Sequence, residues 1–468
     1  MSILDLTISL DGAVADLRGR LRGAVLTEVD PGYAESCAAW NVLFEHHPAV
    51  LVVAETAADI VEAVRFARAG GFRVAVQATG HGVARPADGA VLIVTSKMTD
   101  VTIDPARRTA TVAAGAKWGA VLAPAQAHGL APLLGSTTDV GAIGYTLGGG
   151  MGWLARRYGL ASDSVRSFDL VTPAGDVVRV SNDEHAELLW ALRGGGAGTL
   201  GVVTSMEIDL YPVATVYAGN LLYPIEMAAE VIARWRDWVA GMDDRLTSSV
   251  VMMNFPPLDI VPEPVRGQSF VMIRGCWSGD LLDGEALINR WRSWRTPALD
   301  MFGPIPFSMA DTISNDPTDP MPAMVTTEWL DTIPAEVIDT LVGTTVAQPG
   351  EVPLVLFTEI RHAGGAVRAN AIYSANDRGR SGEFLLEIGG LAMTADIGAA
   401  LHTTLQSARA QLAPFVTGAT YLNFTEGAER QQRTNTAYSA DHLRRLQAMK
   451  DAVDSADRFC HGFGVTPR

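Results

Sequence analysis

The stretch "RVAVQATGHGVARPADGAVLIV", Arg73 to Val94, decides how this chain is read. A strand-like run, Arg73–Thr79, ends in Gly80-His81-Gly82. Glycine removes side chains and lets backbone approach a ligand closely. A histidine set between two glycines can therefore be reached by something large. The apolar run that follows, "AVLIVTS", predicts a second strand.

The neighbouring segments continue the alternation. "AVLVVAE", Ala49–Glu55, predicts a short buried strand. "TAADIVEAVRFARAGG" predicts a helix after it. Thr56 and Asp59 have capping-box spacing, Ile60, Val64 and Ala67 fall on one face, and Gly70-Gly71 stop it. Residues 1 to about 45 read as a short helical lead-in, with His46-His47 in a surface or loop position. "VTIDPARRTATVAAGA" and "FDLVTPAGDVVRVS" predict further strands and hairpins, with Pro173-Ala174-Gly175-Asp176 as a turn. "VVTSMEIDLYPV" predicts a strand ending at Pro212.

Beyond that point the texture changes. Residues 217–415 hold most of the tryptophans, amphipathic helices such as "MAAEVIARWRDWVAGM" and a Pro-rich middle, Phe302–Pro322. The stripe Met227, Val231, Trp235, Trp238 reads as core packing. Strand-like runs "SFVMIRGCW", "PLVLFTEIRHAGGA" and "GEFLLEIGGLAM" predict an antiparallel sheet packed by helices. The chain from "TYLNFTEG" onward ends in a charged helix. A length of 468 residues calls for more than one core.

Charge and cysteines narrow the function. The formal charge is 36 − 52 = −16, which disfavours nucleic acid and anionic membranes as partners. Cys37, Cys276 and Cys460 lie far apart and form no zinc spacing, so they read as buried or free thiols compatible with a reducing cytosol, and no metal is expected. No secretion signal is visible at the N-terminus, and no apolar run approaches the ~20 residues of a membrane span. The Lys-poor, Ala/Arg/Val/Asp-rich composition fits a cytoplasmic bacterial protein.

Two segments are dense in glycine. "GSTTDVGAIGYTLGGGMGWLARRYGL", Gly135–Leu160, carries Gly141, Gly144, Gly148, Gly149, Gly150 and Gly152. Successive glycines expose N–H groups and form anion-binding concavities, for which a pyrophosphate is the natural occupant. "LRGGGAGTLGVVTSMEI" contains a literal GxGxxG at Gly196, Gly198 and Gly201. The dinucleotide fingerprint needs a strand before it and a helix after it, whereas here a strand-like run follows, so a nicotinamide-type Rossmann site is rejected.

Taken in order, five segments resemble the berberine-bridge-enzyme-like FAD-linked oxidases of the vanillyl-alcohol-oxidase, or PCMH, type. They are "PAVLVVAETAADIVEAVRFARAGGFRVAVQATGHG", "VAAGAKWGAVL", "VGAIGYTLGGGMGWLARRYGLASDSV", "ELLWALRGGGAGTLGVVTSMEIDLYPV" and "YLNFTEG" with the closing "RLQAMKDAVDSADRF". The resemblance implies an α+β chain. A PCMH-type FAD-binding domain of two α/β subdomains would fill 1–215, with its core at about 46–215. A substrate domain with an antiparallel sheet covered by helices would fill 216–416, and 417–468 would return to the FAD domain.

The same resemblance implies the site. FAD would be tethered covalently through His81, at the end of the loop Gln77-Ala78-Thr79-Gly80-His81 and followed by Gly82; Gln77 stands where the family has arginine, and Thr79 where it has glycine. The family's second, cysteine-borne link has no counterpart, because Thr137 occupies that place in Thr137-Thr138-Asp139-Val140-Gly141. One covalent link is expected. Val140 stands at the position that controls oxygen access, and valine there goes with oxidase behaviour. Gly141, Gly144, Tyr145, Gly148, Gly150, Gly152, Gly201, Val203, Tyr421 and Asn423 complete the expected cofactor contacts.

For the chemistry, a base must remove a proton from the group being oxidised. On the strand "LFTEIRHAGGAVRAN" Glu359 and Arg361 share one face. Arg361 would keep Glu359 ionised. Glu359 is the expected base and Arg361 its orienting partner, with Tyr421 and Tyr373 as weaker candidates. The expected function is an FAD-dependent oxidase with O2 as acceptor, acting on an alcohol, amine or polyketide-type secondary metabolite. The alternative is a redox-neutral or flavin-oxygenating cyclase or rearrangement enzyme on the same fold.

Overall fold

The computed structural model describes residues 3–195, 198–347, 350–462 and 465–467, with the side chains of 3–9 left out. Three sheets organise the chain. The first has the spatial order Ala24–Leu26, Val50–Val53, Val91–Val94, Val74–Gln77. Its last three strands are parallel and mostly buried, and Ala24–Leu26 adds an antiparallel edge. The helical lead-in is thus corrected. Helices Ile3–Arg18 and Tyr33–Cys37 flank a strand that adds an edge to this sheet.

The helix Ala57–Gly70 connects Val50–Val53 to Val74–Gln77. Its start is a full capping box: Thr56 Oγ1 accepts from Asp59 N–H at 3.3 Å, and Asp59 Oδ2 accepts from Thr56 N–H at 3.0 Å. Gly71, in the left-handed region at φ 72°, ends it.

The second sheet is antiparallel, in the order Val101–Asp104, Thr109–Ala113, Val202–Asp209, Val165–Val171, Val177–Ser181. The third is an eight-stranded antiparallel sheet built from residues 215–391. Helices Ala228–Val239, Leu281–Arg292, Ala335–Thr345 and Ala395–Leu412 pack on it, and Val231 and Trp235 are fully buried there, with Met227 and Trp238 against the same core.

The C-terminal helix Ala440–Asp454 returns to the first half of the chain through one buried ammonium. Lys450 Nζ donates to Asp454 Oδ2 at 2.6 Å and to the carbonyls of Thr199 and Phe459, each at 2.9 Å. Arg458 O then accepts from Val74 N–H at 2.8 Å, beside the first sheet. Lys450 is completely buried, so its removal takes the cation from a buried carboxylate and a donor from two carbonyls. Lys450→Met is expected to cost about 3–5 kcal/mol, measurable as a lower urea midpoint; an unchanged midpoint would contradict the staple.

Candidate functional site

A cavity of about 470 Å³ takes its walls from all three sheets. Gln77 and the loop after it come from the first sheet, Val202 and Val203 from the second, and Met253, Arg274, Phe357, Glu359, Arg361 and Glu387 from the third. Thr79, Gly80, His81, Gly82, Thr137, Val140, Gly141, Gly144, Tyr145, Gly201 and Asn423 also line it, as does Ala78.

His81 is fixed on several sides. The Trp40 indole stacks on it at 4.6 Å and 13°. Its Nδ1 is 2.8 Å from Thr79 Oγ1, while Nε2 makes no hydrogen bond and lies 4.0 Å from Asp139 Oδ2. Burial pulls its pKa down to about 4, with Asp139 opposing and Lys117 reinforcing the shift. The imidazole is therefore neutral at pH 7, as a nucleophile must be.

The neighbouring loop answers the glycine question differently from the sequence. Gly80 sits at φ 73°, and a Cβ there would lie 2.5 Å from Ala39 Cα. Its missing side chain makes room for the segment Ala39–Asn41, whose Trp40 and Asn41 N–H groups donate to Thr79 O and Gly80 O. Gln77 is a brace: Nε2 donates to Ala38 O at 3.0 Å and Oε1 accepts from His46 Nε2 at 3.1 Å. His46 lies in a loop, as one of its two expected settings, but is buried, with Nδ1 accepting from Ala87 N–H.

The glycine-rich segment divides. Gly141 and Gly144 face the cavity. Gly148, Gly150 and Gly152 do not line it. A Cβ on Gly152 would meet Leu134 O at 1.7 Å, and one on Gly150 would meet the Tyr145 ring at 2.4 Å. Gly150 and Gly152 thus permit close packing beside the site. Of the GxGxxG, Gly198 and Gly201 line the cavity and a strand follows them, whereas Gly196 lies outside the described residues. The three cysteines are buried and none lines the cavity.

Tyr421 does not line the cavity. It is buried away from the cavity, with its hydroxyl accepting from Met151 N–H at 2.7 Å and its ring edge-on to Trp329. It supports the glycine segment from below. Tyr373 is exposed and lines nothing. Asn423 does reach the cavity: Nδ2 donates to Tyr145 O at 2.9 Å and Oδ1 is unpartnered.

At the other end, Arg361 grips Glu359 with Nε and one terminal nitrogen, at 2.9 and 2.8 Å. Burial pushes the Glu359 carboxyl up, but Arg361 and Arg274 outweigh it and hold it below the usual range. Glu359 is therefore a weaker base than its position suggested. Directly across the strand pair sits Glu387, in register with Glu359. Burial raises its pKa to about 8, against the pull of Arg361, 3.7 Å away. Glu426 is raised to about 8 as well, mainly by burial, and accepts from Asn41 Nδ2 at 2.6 Å. The sequence reading missed Glu387, Glu426, Arg274 and Trp40. Only the alternation along "GEFLLEIGG" pointed at Glu387.

The residues present fit a flavin nucleotide. His81 Nε2, Tyr145 Oη and Asn423 Oδ1 are buried polar atoms without a hydrogen bond, all on residues lining this one cavity. Buried polar groups are paired in folded proteins, so such a ring of orphans marks a ligand site.

Comparison with known proteins agrees. Residues 48–181 match a family described as an FAD binding domain. The chain is 29% identical over 304 residues to an uncharacterized FAD-linked oxidoreductase, YgaK, of Bacillus subtilis, covering 64% of this chain and 65% of that one. It is 33% identical over 236 residues to (R)-6-hydroxynicotine oxidase of Paenarthrobacter nicotinovorans, covering 50% and 49%. These matches span about half to two thirds of the relatives' lengths. The structure of berberine bridge enzyme from Eschscholzia californica superposes with a TM-score of 0.81 at 18% identity, covering 98% of this chain and 99% of that one.

Proposed function

We propose that this chain is a berberine-bridge-enzyme-like FAD-linked oxidase with one covalent histidyl-FAD link at His81. The observation that carries the reading is the set of orphaned polar atoms around a single cavity that begins at a neutral, clamped imidazole. A bound flavin would take a hydride from the substrate and return the electrons to O2.

The chain's own residues supply the rest. His81 would hold the ring, and Thr137 cannot add a second link, having no thiol. Asn423 and Tyr145 present polar atoms to the cavity beside it. Arg361 fixes Glu359 as a buried anion, a pair suited to orienting a polar substrate group. Glu387 takes over the expected role of Glu359, removing the proton from the hydroxyl or amine being oxidised, because a carboxylate titrating near 8 is a far better base. Met253, Leu356, Phe357 and Phe424 give the substrate apolar walls, in keeping with a small or medium organic molecule.

An oxygen electrode with a panel of alcohols, amines and phenolic metabolites tests the proposal: O2 should be consumed and H2O2 released with the substrate that bleaches the flavin. Bleaching without return of colour in air would overturn the oxidase assignment. Val140 lines the cavity, and Val140→Leu is expected to slow reoxidation by O2 while leaving anaerobic reduction unchanged; stopped-flow traces of the two half-reactions separate them.

A further inference from the structure

Four charged side chains in the cavity wall form a line of alternating sign. Glu387 Oε2 lies 3.7 Å from Arg361 Nη2, Arg361 Nη2 lies 2.8 Å from Glu359 Oε2, and Glu359 Oε1 lies 3.8 Å from Arg274 Nη1. Arg274 ends the line. It sits on the strand Ser269–Trp277 and Glu387 on Phe384–Leu391, with Leu246–Asn254 and Phe357–His362 between them. Three strand spacings amount to about 14 Å from backbone to backbone.

Arg274 has a charge without a matching partner. It is only 6% exposed, so water does little to solvate it. Its Nε donates to Asn220 Oδ1 at 3.2 Å and its Nη2 to Ser314 O at 3.4 Å. Asn220 Nδ2 in turn donates to Ile313 O at 2.8 Å, so the guanidinium is held in place. A guanidinium has more N–H donors than these two bonds use. Among the described residues Nη1 makes no hydrogen bond: Glu359 lies beyond reach at 3.8 Å and is gripped by Arg361. Glu387, titrating near 8, is mostly uncharged at neutral pH, and Asp316 acts on Arg361 from outside ion-pair distance. Two buried guanidiniums therefore share the one carboxylate of Glu359, and a buried charge left so poorly paired is costly.

We propose that Arg274 is a specificity-determining residue: it takes a carboxylate on the substrate, at the end of the molecule remote from the carbon being oxidised. The inference names the substrate class of the oxidase proposed above and rests on that reading for its catalytic meaning. A carboxylate beside Nη1 gives the guanidinium the anion it lacks, through charge-assisted hydrogen bonds. Met253 and Phe357, paired across neighbouring strands in the same wall, carry the apolar body between the two ends. An ammonium at the Arg274 end would meet a like charge instead.

The test is titration calorimetry on the full chain supplied with FAD, using three probes of one shape: benzoate, benzamide and benzylamine. Benzoate is expected to bind about ten- to a hundredfold more tightly than benzamide, the size of a hydrogen bond to a charged group, and benzylamine more weakly than either. Arg274→Gln is expected to erase the preference for benzoate. Arg274→Lys keeps the charge and loses the planar fork, so benzoate should weaken several-fold and benzamide not at all. That variant decides the matter if Arg274→Gln does not fold. Equal binding of benzoate and benzamide overturns the inference, as does tighter binding of benzylamine. So does a preference that survives Arg274→Gln, or a benzoate affinity that Arg274→Lys leaves untouched. Calorimetry registers the anion with or without flavin. A chain that takes up no FAD and still prefers benzoate through Arg274 sinks the oxidase reading and leaves the carboxylate site standing, whereas equal binding in the flavin-loaded chain sinks this inference alone.

Discussion

Glu387→Gln is expected to slow anaerobic reduction of the flavin by substrate roughly 10²–10⁴-fold, with substrate affinity little changed. The amide keeps the shape of the side chain and removes only its ability to take a proton. Glu387 lies in the cavity wall, in register with Glu359 across two central strands. Its pKa of about 8 is due first to burial, next opposed by Arg361 and then raised by Glu359. The sign of the pH dependence follows. A base must be unprotonated, so kcat/KM should rise with pH, about tenfold per unit below pH 8, and level off above it. Glu387→Gln should abolish that limb. Glu359→Gln, by contrast, removes a carboxylate already committed to Arg361; the limb should persist but move to lower pH, because Glu359 helps raise Glu387 and the freed Arg361 lowers it. A Glu387→Gln enzyme that reduces its flavin at the normal rate would return the role of base to another group.

His81→Ala is expected to abolish every trace of flavin that survives denaturation, while the folded chain still binds FAD reversibly through the remaining cavity lining. Dilution should then release the cofactor from the variant and not from the unsubstituted protein. The thermal midpoint of the variant should fall on dialysis and recover on adding FAD, since a ligand at about 100 times its Kd contributes about 2.7 kcal/mol. Differential scanning calorimetry with and without added FAD checks this. A variant that keeps denaturation-resistant flavin would place the anchor elsewhere.

What the sequence disclosed follows physical lines. The capping box at Thr56 and Asp59 was legible because its two hydrogen bonds join residues three apart. Glu359 and Arg361 were legible as partners because a strand puts alternate side chains on one face. Glu387 was not, since its meeting with Glu359 depends on which strands pair and in what register. The glycines were ambiguous for a related reason. A glycine can yield to a ligand or to another piece of backbone, and only the fold tells that Gly152 yields to Leu134 O and Gly80 to Ala39. The hydrogen bond of the Tyr421 hydroxyl to Met151 N–H could not be read from the sequence, because it joins residues 270 apart. His46 was taken for a loop or surface residue; Gln77, standing where the family has arginine, gives it a buried partner.

The account stands most directly on the colour of the purified chain after acid precipitation. Protein supplied with FAD in air, precipitated and washed, should give a yellow pellet with close to one flavin per chain, and a peptide bearing the flavin mass at His81. A colourless pellet, or a chain that takes up no flavin from excess FAD, would contradict it.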